Sequence, residues 1–133
     1  MKENTTISIT NELLQVIFES AKRLYPRETL LLLRGKKEKS LIKISELVVP
    51  PLASHGQGFA SMPFHMLPID FSIVGAVHSH PSGNLTPSTR DLNHSFGRII
   101  MIVGFPFISE QNVAAYNRDG ERLILQVANA EKI

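Results

Sequence analysis

The sequence contains no cysteine and no tryptophan among its 133 residues. Without cysteine, the chain has no thiol nucleophile, no disulfide framework, and no cysteine-ligated zinc finger or iron–sulfur cluster. A metal ion would therefore have to be held by His, Asp or Glu. A chain of this length is expected to fold as one domain, residues 1–133, and it is long enough to bury a core without disulfides.

A strong excess of one charge and long apolar runs are also absent. Lys and Arg number 14 and Asp and Glu number 12, so the net charge of +2 is too small to indicate a nucleic-acid partner. The dense basic run at 34–39 is expected to be a solvated turn. The longest apolar runs, 30–33 and 99–103, fall far short of the ~18 residues that a membrane span needs. The first residues lack the apolar core of a signal peptide. We therefore expect a cytoplasmic protein with no nucleic-acid or membrane partner.

The apolar spacing predicts a helix, several strands and a second, short helix. Residues 11–24 show helical spacing behind the capping residue Thr10, and Pro26 ends the helix. The short helix is predicted to begin at Ser88, and residues 50–58 are predicted to form a loop. Strands are predicted at 28–34, 41–49, about 59–66, 73–80, 98–105, 113–116 and 122–127. This order predicts an α/β or α+β fold built on one sheet.

The informative segment for function lies between 77 and 91. His78 and His80 are two apart in a predicted strand, so both imidazoles project from the same face. Pro81 ends the strand, and after a loop Asp91 lies in the first turn of the next helix, where its carboxylate can turn back toward the histidines. Two imidazole nitrogens and one carboxylate oxygen suit Zn²⁺, and three protein ligands leave a fourth position for water.

Each half of this pattern also has an ordinary structural explanation. Two histidines on a strand are often a surface pair or a hydrogen-bonded core pair. Ser88 and Asp91 have the spacing of a capping box, in which Asp91 would accept the N–H of Ser88. The combination is far less expected by chance, because all of it falls within 14 residues.

The motif His-Ser-His-Pro, then six residues, then Ser-x-x-Asp resembles the signature of the JAMM (MPN+) metalloproteases, which include the deubiquitinases of the proteasome lid and the signalosome. The chain looks especially like their small single-domain archaeal members. The resemblance implies an α/β MPN fold, similar to that of cytidine deaminases, with a mixed β-sheet sandwiched by helices. It also implies one Zn²⁺ per chain, bound by His78, His80 and Asp91.

The resemblance further implies a catalytic glutamate, because the family pattern Glu-x-x-Gly-x-Leu-x-Gly falls on 28–35, with Leu31 in place of the first glycine. Glu28 would then act as general base and general acid on a zinc-activated water. Ser88 would donate its hydroxyl to the oxyanion, in addition to capping the helix. The implied reaction is hydrolysis after the C-terminal tail of a ubiquitin-like modifier or its conjugates, the tail adding to a sheet edge near Phe59, Met62 and His65.

Two other interpretations stay open at this stage. A RadC-like or sulfur-carrier-processing peptidase would use the same chemistry, although the chain is short for a RadC-type protein with its DNA-binding module. A non-catalytic MPN scaffold would lack the ligands that this chain carries. The sequence does not specify the oligomeric state. Other polar side chains that compete for roles in the site are His55, His94, Glu46 and Asp70.

Overall fold

The computed structural model of the protein describes residues 5–50, 72–93 and 97–129. Within these ranges the chain forms two α-helices, α1 (Asn11–Leu24) and α2 (Thr89–Asn93), and a single 3-10 turn at Glu110–Asn112. The strands are β1 (Thr6–Thr10), β2 (Leu30–Glu38), β3 (Leu41–Val48), β4 (Ile73–His80), β5 (Ile99–Gly104), β6 (Val113–Asn117) and β7 (Arg122–Ala128).

Helix α1 has the predicted bounds and the predicted cap. The Oγ1 atom of Thr10 accepts the backbone N–H of Leu13 at 3.2 Å, which satisfies one of the free donors of the first turn. Helix α1 ends at Leu24, two residues before Pro26, which lacks an N–H and cannot continue it. Its buried face consists of Leu14, Ile17, Phe18 and Ala21, spaced at three and four residues as one side of a helix requires.

The strands form one mixed sheet in the order β1-β3-β2-β4-β5-β6-β7, which closes because β7 pairs with β1. Strands β2 and β4 are antiparallel, whereas β4 and β5 are parallel and need the crossover that contains α2. Gly75 permits close contact in this part of the sheet, since a Cβ there would collide with the carbonyl oxygen of Ile99. The α/β fold with a mixed sheet is confirmed.

The two faces of the sheet bury different sets of side chains. The face that packs on α1 carries the main apolar cluster, which includes Leu33, Val77, Met101 and Val103. The opposite face carries two smaller clusters, one formed by Leu30, Leu32 and Ala76 and the other by Ile100, Ile102, Ala114 and Tyr116. Because side chains alternate along a strand, β4 contributes Val77 and Ser79 to the first face and His78 and His80 to the second.

Three details differ from the sequence-based predictions. Strand β1 was not predicted, although Ile7 and Ile9 are buried and alternate with polar residues. Residues 35–38 continue β2 instead of forming a turn, since they stay paired with β3 beyond a register shift between Arg34 and Gly35, and the turn is only Lys39 and Ser40. Glu28 does not open the strand but lies two residues before it.

Some predictions lie outside the described residues, among them the strand at 59–66 and almost all of the loop at 50–58. Within the described ranges, no helix is long and apolar enough to cross a membrane.

Candidate functional site

The site is built at the carboxyl end of β4, where the strand leaves the sheet. His78 is 8% exposed and projects from the same face as His80, the last residue of the strand. The chain then turns through residues 81–88 into α2, which carries Asp91 with only 6% exposure. A strand end followed by a tight loop thus brings three side chains with metal-binding chemistry to one place.

Asp91 lies between the two histidines. Its Oδ2 atom is 3.0 Å from Nε2 of His80, and its Oδ1 atom is 3.6 Å from Nδ1 of His78. The carboxylate therefore uses a different oxygen toward each imidazole. The structure brings together the three residues for which the sequence predicts metal binding.

Asp91 also takes part in a capping box, which is the ordinary structural explanation for the spacing of Ser88 and Asp91. The backbone N–H of Ser88 donates to Asp91 Oδ2 at 2.8 Å, and the N–H of Asp91 donates to Ser88 Oγ at 3.1 Å. The cap and the contacts with the histidines coexist. Because Ser88 Oγ accepts in this cap, its own hydroxyl proton is not used by the cap and can be donated to another group.

The second nitrogen of His80 is fixed by the loop that follows it. Its Nδ1 atom lies 2.7 Å from the backbone carbonyl oxygen of Asn84. A carbonyl only accepts, so Nδ1 carries the hydrogen and the Nε2 position faces Asp91. The loop folds back so closely that a Cβ on Gly104 would lie 2.9 Å from the carbonyl oxygen of Gly83. Such a bond to the far side of a histidine ring is the usual way in which a metal-binding imidazole is oriented.

A tyrosine from a distant strand holds the same loop. The hydroxyl of Tyr116 on β6 donates to the backbone carbonyl of Leu85 at 2.7 Å. The side chains of Leu85 and Leu92 pack on the cluster that contains Tyr116. The loop is therefore anchored to the sheet at Leu85, directly after the Asn84 carbonyl that orients His80.

The charges of the site reinforce one another. Burial alone would raise the pKa of Asp91, but the hydrogen bonds from His80 and from the Ser88 N–H outweigh it and lower that pKa to about 2. The hydrogen bond with Asp91 likewise raises the pKa of His80, against the opposing effect of burial. Asp91 is thus an anion at neutral pH, as a metal-binding carboxylate must be.

Glu28 reaches the site from the chain segment that precedes β2. Leu30 pairs with His78, and Ser79 N–H donates to the carbonyl of Thr29 at 3.2 Å, so the antiparallel alignment continues toward Glu28 and His80. Partial burial raises the pKa of Glu28; His80 opposes this rise and the Asp91 carboxylate adds to it. A carboxyl with a raised pKa is better matched to proton transfer near neutral pH.

The donor set fits zinc in its chemistry, although no three His, Cys, Asp or Glu side chains in the described ranges are already arranged to hold a metal ion. His80 and Asp91 are in direct contact at 3.0 Å, and the contact of His78 with Asp91 is 3.6 Å. His78, His80 and Asp91 would hold the ion, and a bound ion would replace the proton that His80 and Asp91 share.

The remaining candidates are either distant or outside the described residues. Glu46 is exposed on β3 and forms an ion pair with Arg34 at 3.3 Å, away from the histidines. The predicted tail-binding residues and the other competing polar groups, which are Phe59, Met62, His65, His55, Asp70 and His94, lie outside the described residues.

Sequence reasoning missed the residues that support the site. The carbonyl of Asn84 has no sequence signal, because every residue carries one. Tyr116 and Ser79 act through bonds to Leu85 and Thr29, which are 31 and 50 residues away in the chain. No local pattern indicates such partners.

Comparisons with known proteins agree with this geometry. The family described as prokaryotic homologs of the JAB domain matches residues 10–119. A probable metalloprotease of Haloferax volcanii is 28% identical over 138 residues, which cover 98% of this chain and 84% of that protein.

Two solved structures are similar over almost their whole length. A JAB1/MPN domain protein from Archaeoglobus fulgidus is 34% identical with a TM-score of 0.67, covering 91% of this chain and 98% of that one. A structure described as the JAMM metalloprotease-like zinc site in the proteasome and signalosome is 31% identical with a TM-score of 0.64, covering 94% and 98%.

Fold and site together define a metalloprotease-like class of protein, with a mixed sheet whose His-Ser-His-Pro strand end faces an aspartate on the next helix. The chain belongs to the JAMM/MPN family, among the prokaryotic homologs of the JAB domain.

Proposed function

We propose that the chain is a zinc-dependent isopeptidase or peptidase that hydrolyses the bond after the C-terminal tail of a ubiquitin-like modifier, with one Zn²⁺ per chain. The observation that carries this proposal is the convergence of His78 and His80 on the two oxygens of Asp91. A family whose members are metalloprotease-like supplies the reaction class.

The side chains divide the work according to their chemistry. His78, His80 and Asp91 would hold the ion. When bound, the ion would lower the pKa of a water molecule and polarise the substrate carbonyl. Because Asp91 stays ionised and the Asn84 carbonyl fixes the hydrogen of His80 on Nδ1, both residues are prepared for that task.

Proton transfer falls to Glu28, whose pKa is raised by partial burial. As the water oxygen attacks the carbonyl carbon, Glu28 accepts a proton from that water. As the carbon–nitrogen bond breaks, Glu28 delivers the proton to the departing amine, a role typically worth ~10²–10⁴ in rate. Ser88 donates its hydroxyl proton to the developing oxyanion while its oxygen still caps α2.

The substrate class rests on the family. One relative is described as carrying the JAMM zinc site in the proteasome and signalosome, and the sequence resembles the deubiquitinases of those assemblies. The tail would bind near Phe59, Met62 and His65. A tail ending in Gly-Gly is the proposed occupant, as the resemblance to the small archaeal members implies.

The deciding experiment combines metal analysis with cleavage of a defined probe. The protein is reconstituted with zinc, and its metal content is measured after gel filtration. The probe is an archaeal ubiquitin-like modifier ending in Gly-Gly, joined either to a lysine side chain or in a linear fusion. We expect about one zinc per chain, zinc-dependent cleavage after Gly-Gly, and no cleavage by Glu28→Gln with its zinc retained.

Glu46→Gln is the matched control, because it removes an exposed carboxylate that is paired with Arg34 away from the site. It should cleave as wild type does. A protein that takes up no zinc, or a Glu28→Gln variant with full activity, would show that the assignment is wrong. Cleavage of the linear fusion alone would favour a processing peptidase over an isopeptidase.

A further inference from the structure

Ser79, the residue between the two histidines, makes a hydrogen bond that the metal site does not explain. Its hydroxyl oxygen accepts the backbone N–H of Thr29 at 2.7 Å. In the other direction, the N–H of Ser79 donates to the carbonyl of Thr29 at 3.2 Å. Both residues are buried, with 1% and 7% of their surfaces exposed.

This pair departs from an ordinary antiparallel ladder. In a hydrogen-bonded pair of such a ladder, the two opposed residues exchange two backbone bonds. Here one of the two acceptors is the side chain of Ser79 instead of its carbonyl. The serine therefore joins β4 to the residue next to Glu28, at the point where β2 has not yet begun.

The position of Ser79 separates this bond from the metal ligands. Along β4 its side chain projects to the α1 face, whereas His78 and His80 project to the other. A change at Ser79 can therefore alter the segment that carries Glu28 without replacing a side chain that faces the ion.

We propose that Ser79 is a positioning residue for Glu28: its hydroxyl holds the Thr29 N–H and thereby fixes the carboxylate beside His80. This inference rests on the proposed function for the role of Glu28 in proton transfer. A buried N–H without an acceptor is costly, so removal of the hydroxyl releases the segment. A misplacement of about 1 Å in a catalytic group can lower the rate by about 10²-fold.

The first test measures the anchor without using activity. Amide hydrogen exchange at Thr29 is followed by NMR in the metal-free protein, for wild type, Ser79→Ala, Ser79→Cys and Ser79→Thr. The Ala variant removes the acceptor, Cys keeps a side chain of similar size with a weak acceptor, and Thr keeps the hydroxyl. We expect exchange at Thr29 to rise by about tenfold or more in the Ala and Cys variants and to stay near wild type in the Thr variant.

The second test measures catalysis on the zinc-loaded protein with the modifier probe. We expect Ser79→Ala to lower kcat by about 10–100-fold with KM within about threefold and zinc content unchanged. Ser79→Thr should restore kcat.

Ser45→Ala is the matched control, since the Ser45 hydroxyl also bonds a neighbouring strand, at the carbonyl of Arg34, but away from the site. It should leave kcat and Thr29 exchange unchanged. Unchanged Thr29 exchange in both the Ala and Cys variants would overturn the proposal, as would loss of zinc from them. If the wild type does not cleave the probe, the proposed function alone is refuted. The exchange measurement still shows whether the Ser79 hydroxyl holds the Thr29 N–H.

Discussion

At the central strands β4 and β5 the two faces of the sheet are both buried, yet they are assembled by different interactions. The face toward α1 is closed by apolar side chains such as Phe18 and Leu33, which need only fit together. The opposite face ends in the polar groups of His78 and Asp91, whose burial costs desolvation. Asp91 is held by hydrogen bonds with His80 and the Ser88 N–H, and its Oδ1 atom lies 3.6 Å from Nδ1 of His78. Strand β4 contributes side chains to both faces. Alternate residues of this one strand therefore belong to the apolar core and to the candidate site.

This difference implies that stability and activity can be altered separately. Asp91→Asn should have the largest effect on activity, because it keeps the size of the side chain and an oxygen for the cap but removes the charge between the histidines. We expect zinc affinity to fall by more than the ~10–100-fold that loss of an outer partner costs, and cleavage to disappear. The measurement is zinc competition against a chelator, together with the cleavage assay.

Asp119→Asn, in the exposed turn between β6 and β7, is the control for Asp91→Asn and should keep both properties. If the Asp91 variant bound zinc as tightly as wild type, the polar face would not be a metal site, and the contrast between the faces would lose its functional meaning.

On the α1 face the expected effect is on stability alone. Leu14→Ala leaves a cavity in the main cluster and should lower the free energy of unfolding by about 2–5 kcal/mol. The activity per folded molecule, measured below the unfolding transition, should stay within about twofold of wild type. Val16→Ala on the exposed side of the same helix should change neither quantity. If little Leu14→Ala protein folds, Ile17→Val repeats the test with a loss of about 0.5–1.5 kcal/mol.

The N-terminal caps of the two helices allow a finer comparison, because α1 lies on one face of the sheet and α2 on the other. Thr10→Ala and Ser88→Ala both remove a side-chain oxygen that accepts a backbone N–H, and each should cost about 1 kcal/mol of stability. Only Ser88→Ala should also lower kcat, by about 10²–10³-fold, if its hydroxyl donates to the oxyanion. Equal kcat values in the two variants would mean that Ser88 only caps the helix and does not donate to the oxyanion.

The smallest expected effect is the pH dependence of the metal-free protein. The pKa of Asp91 falls from 3.8 to about 2 on folding, so its contribution to stability is present above pH 3.8 and is lost as the pH falls toward 2. The pKa of His80 is raised above 6.5, so its contribution is complete below pH 6.5 and is lost as the pH rises through the raised value. The pair therefore contributes most in the window between these ordinary values.

Thermal unfolding of wild type and His80→Gln, both without zinc, tests this window. The difference in Tm should be larger near about pH 5.5 than near about pH 8.5. Zinc should reverse the trend, because it competes with the proton on His80 and binds better as the pH rises. A Tm difference that does not change with pH would mean that the imidazole and the carboxylate contribute by packing alone, as on the α1 face.

Much of this arrangement follows from local rules that a sequence displays. Thr10 and Pro26 mark the ends of α1, and the two-residue period of β4 places His78 and His80 on one face. The spacing from Ser88 to Asp91 predicts the cap that the structure shows. These features depend only on neighbours within one turn or one strand.

What the sequence did not predict depends on distant partners. The five residues of β1 alternate between apolar and polar side chains, as a strand requires. Such a short stretch forms a strand only because it pairs with β3 and β7. Glu28 was expected inside β2, whereas the hydroxyl of Ser79 takes the N–H of Thr29 and the strand begins at Leu30. Such bonds are set by the closed sheet as a whole, and no pattern of neighbouring residues specifies them.

The contact between Thr29 and Ser79 spans 50 residues, and it has a consequence for the order of events during folding. The proposed ligands His78, His80 and Asp91 lie close together in the chain and would bind an ion after only a short loop has closed, whereas Glu28 reaches the site only when β2 has paired with β4. Closure of the longer loop is the slower step for a chain of this topology. In a refolding experiment, zinc uptake should therefore precede the return of cleavage. The delay between them measures how long β2 and β4 take to pair.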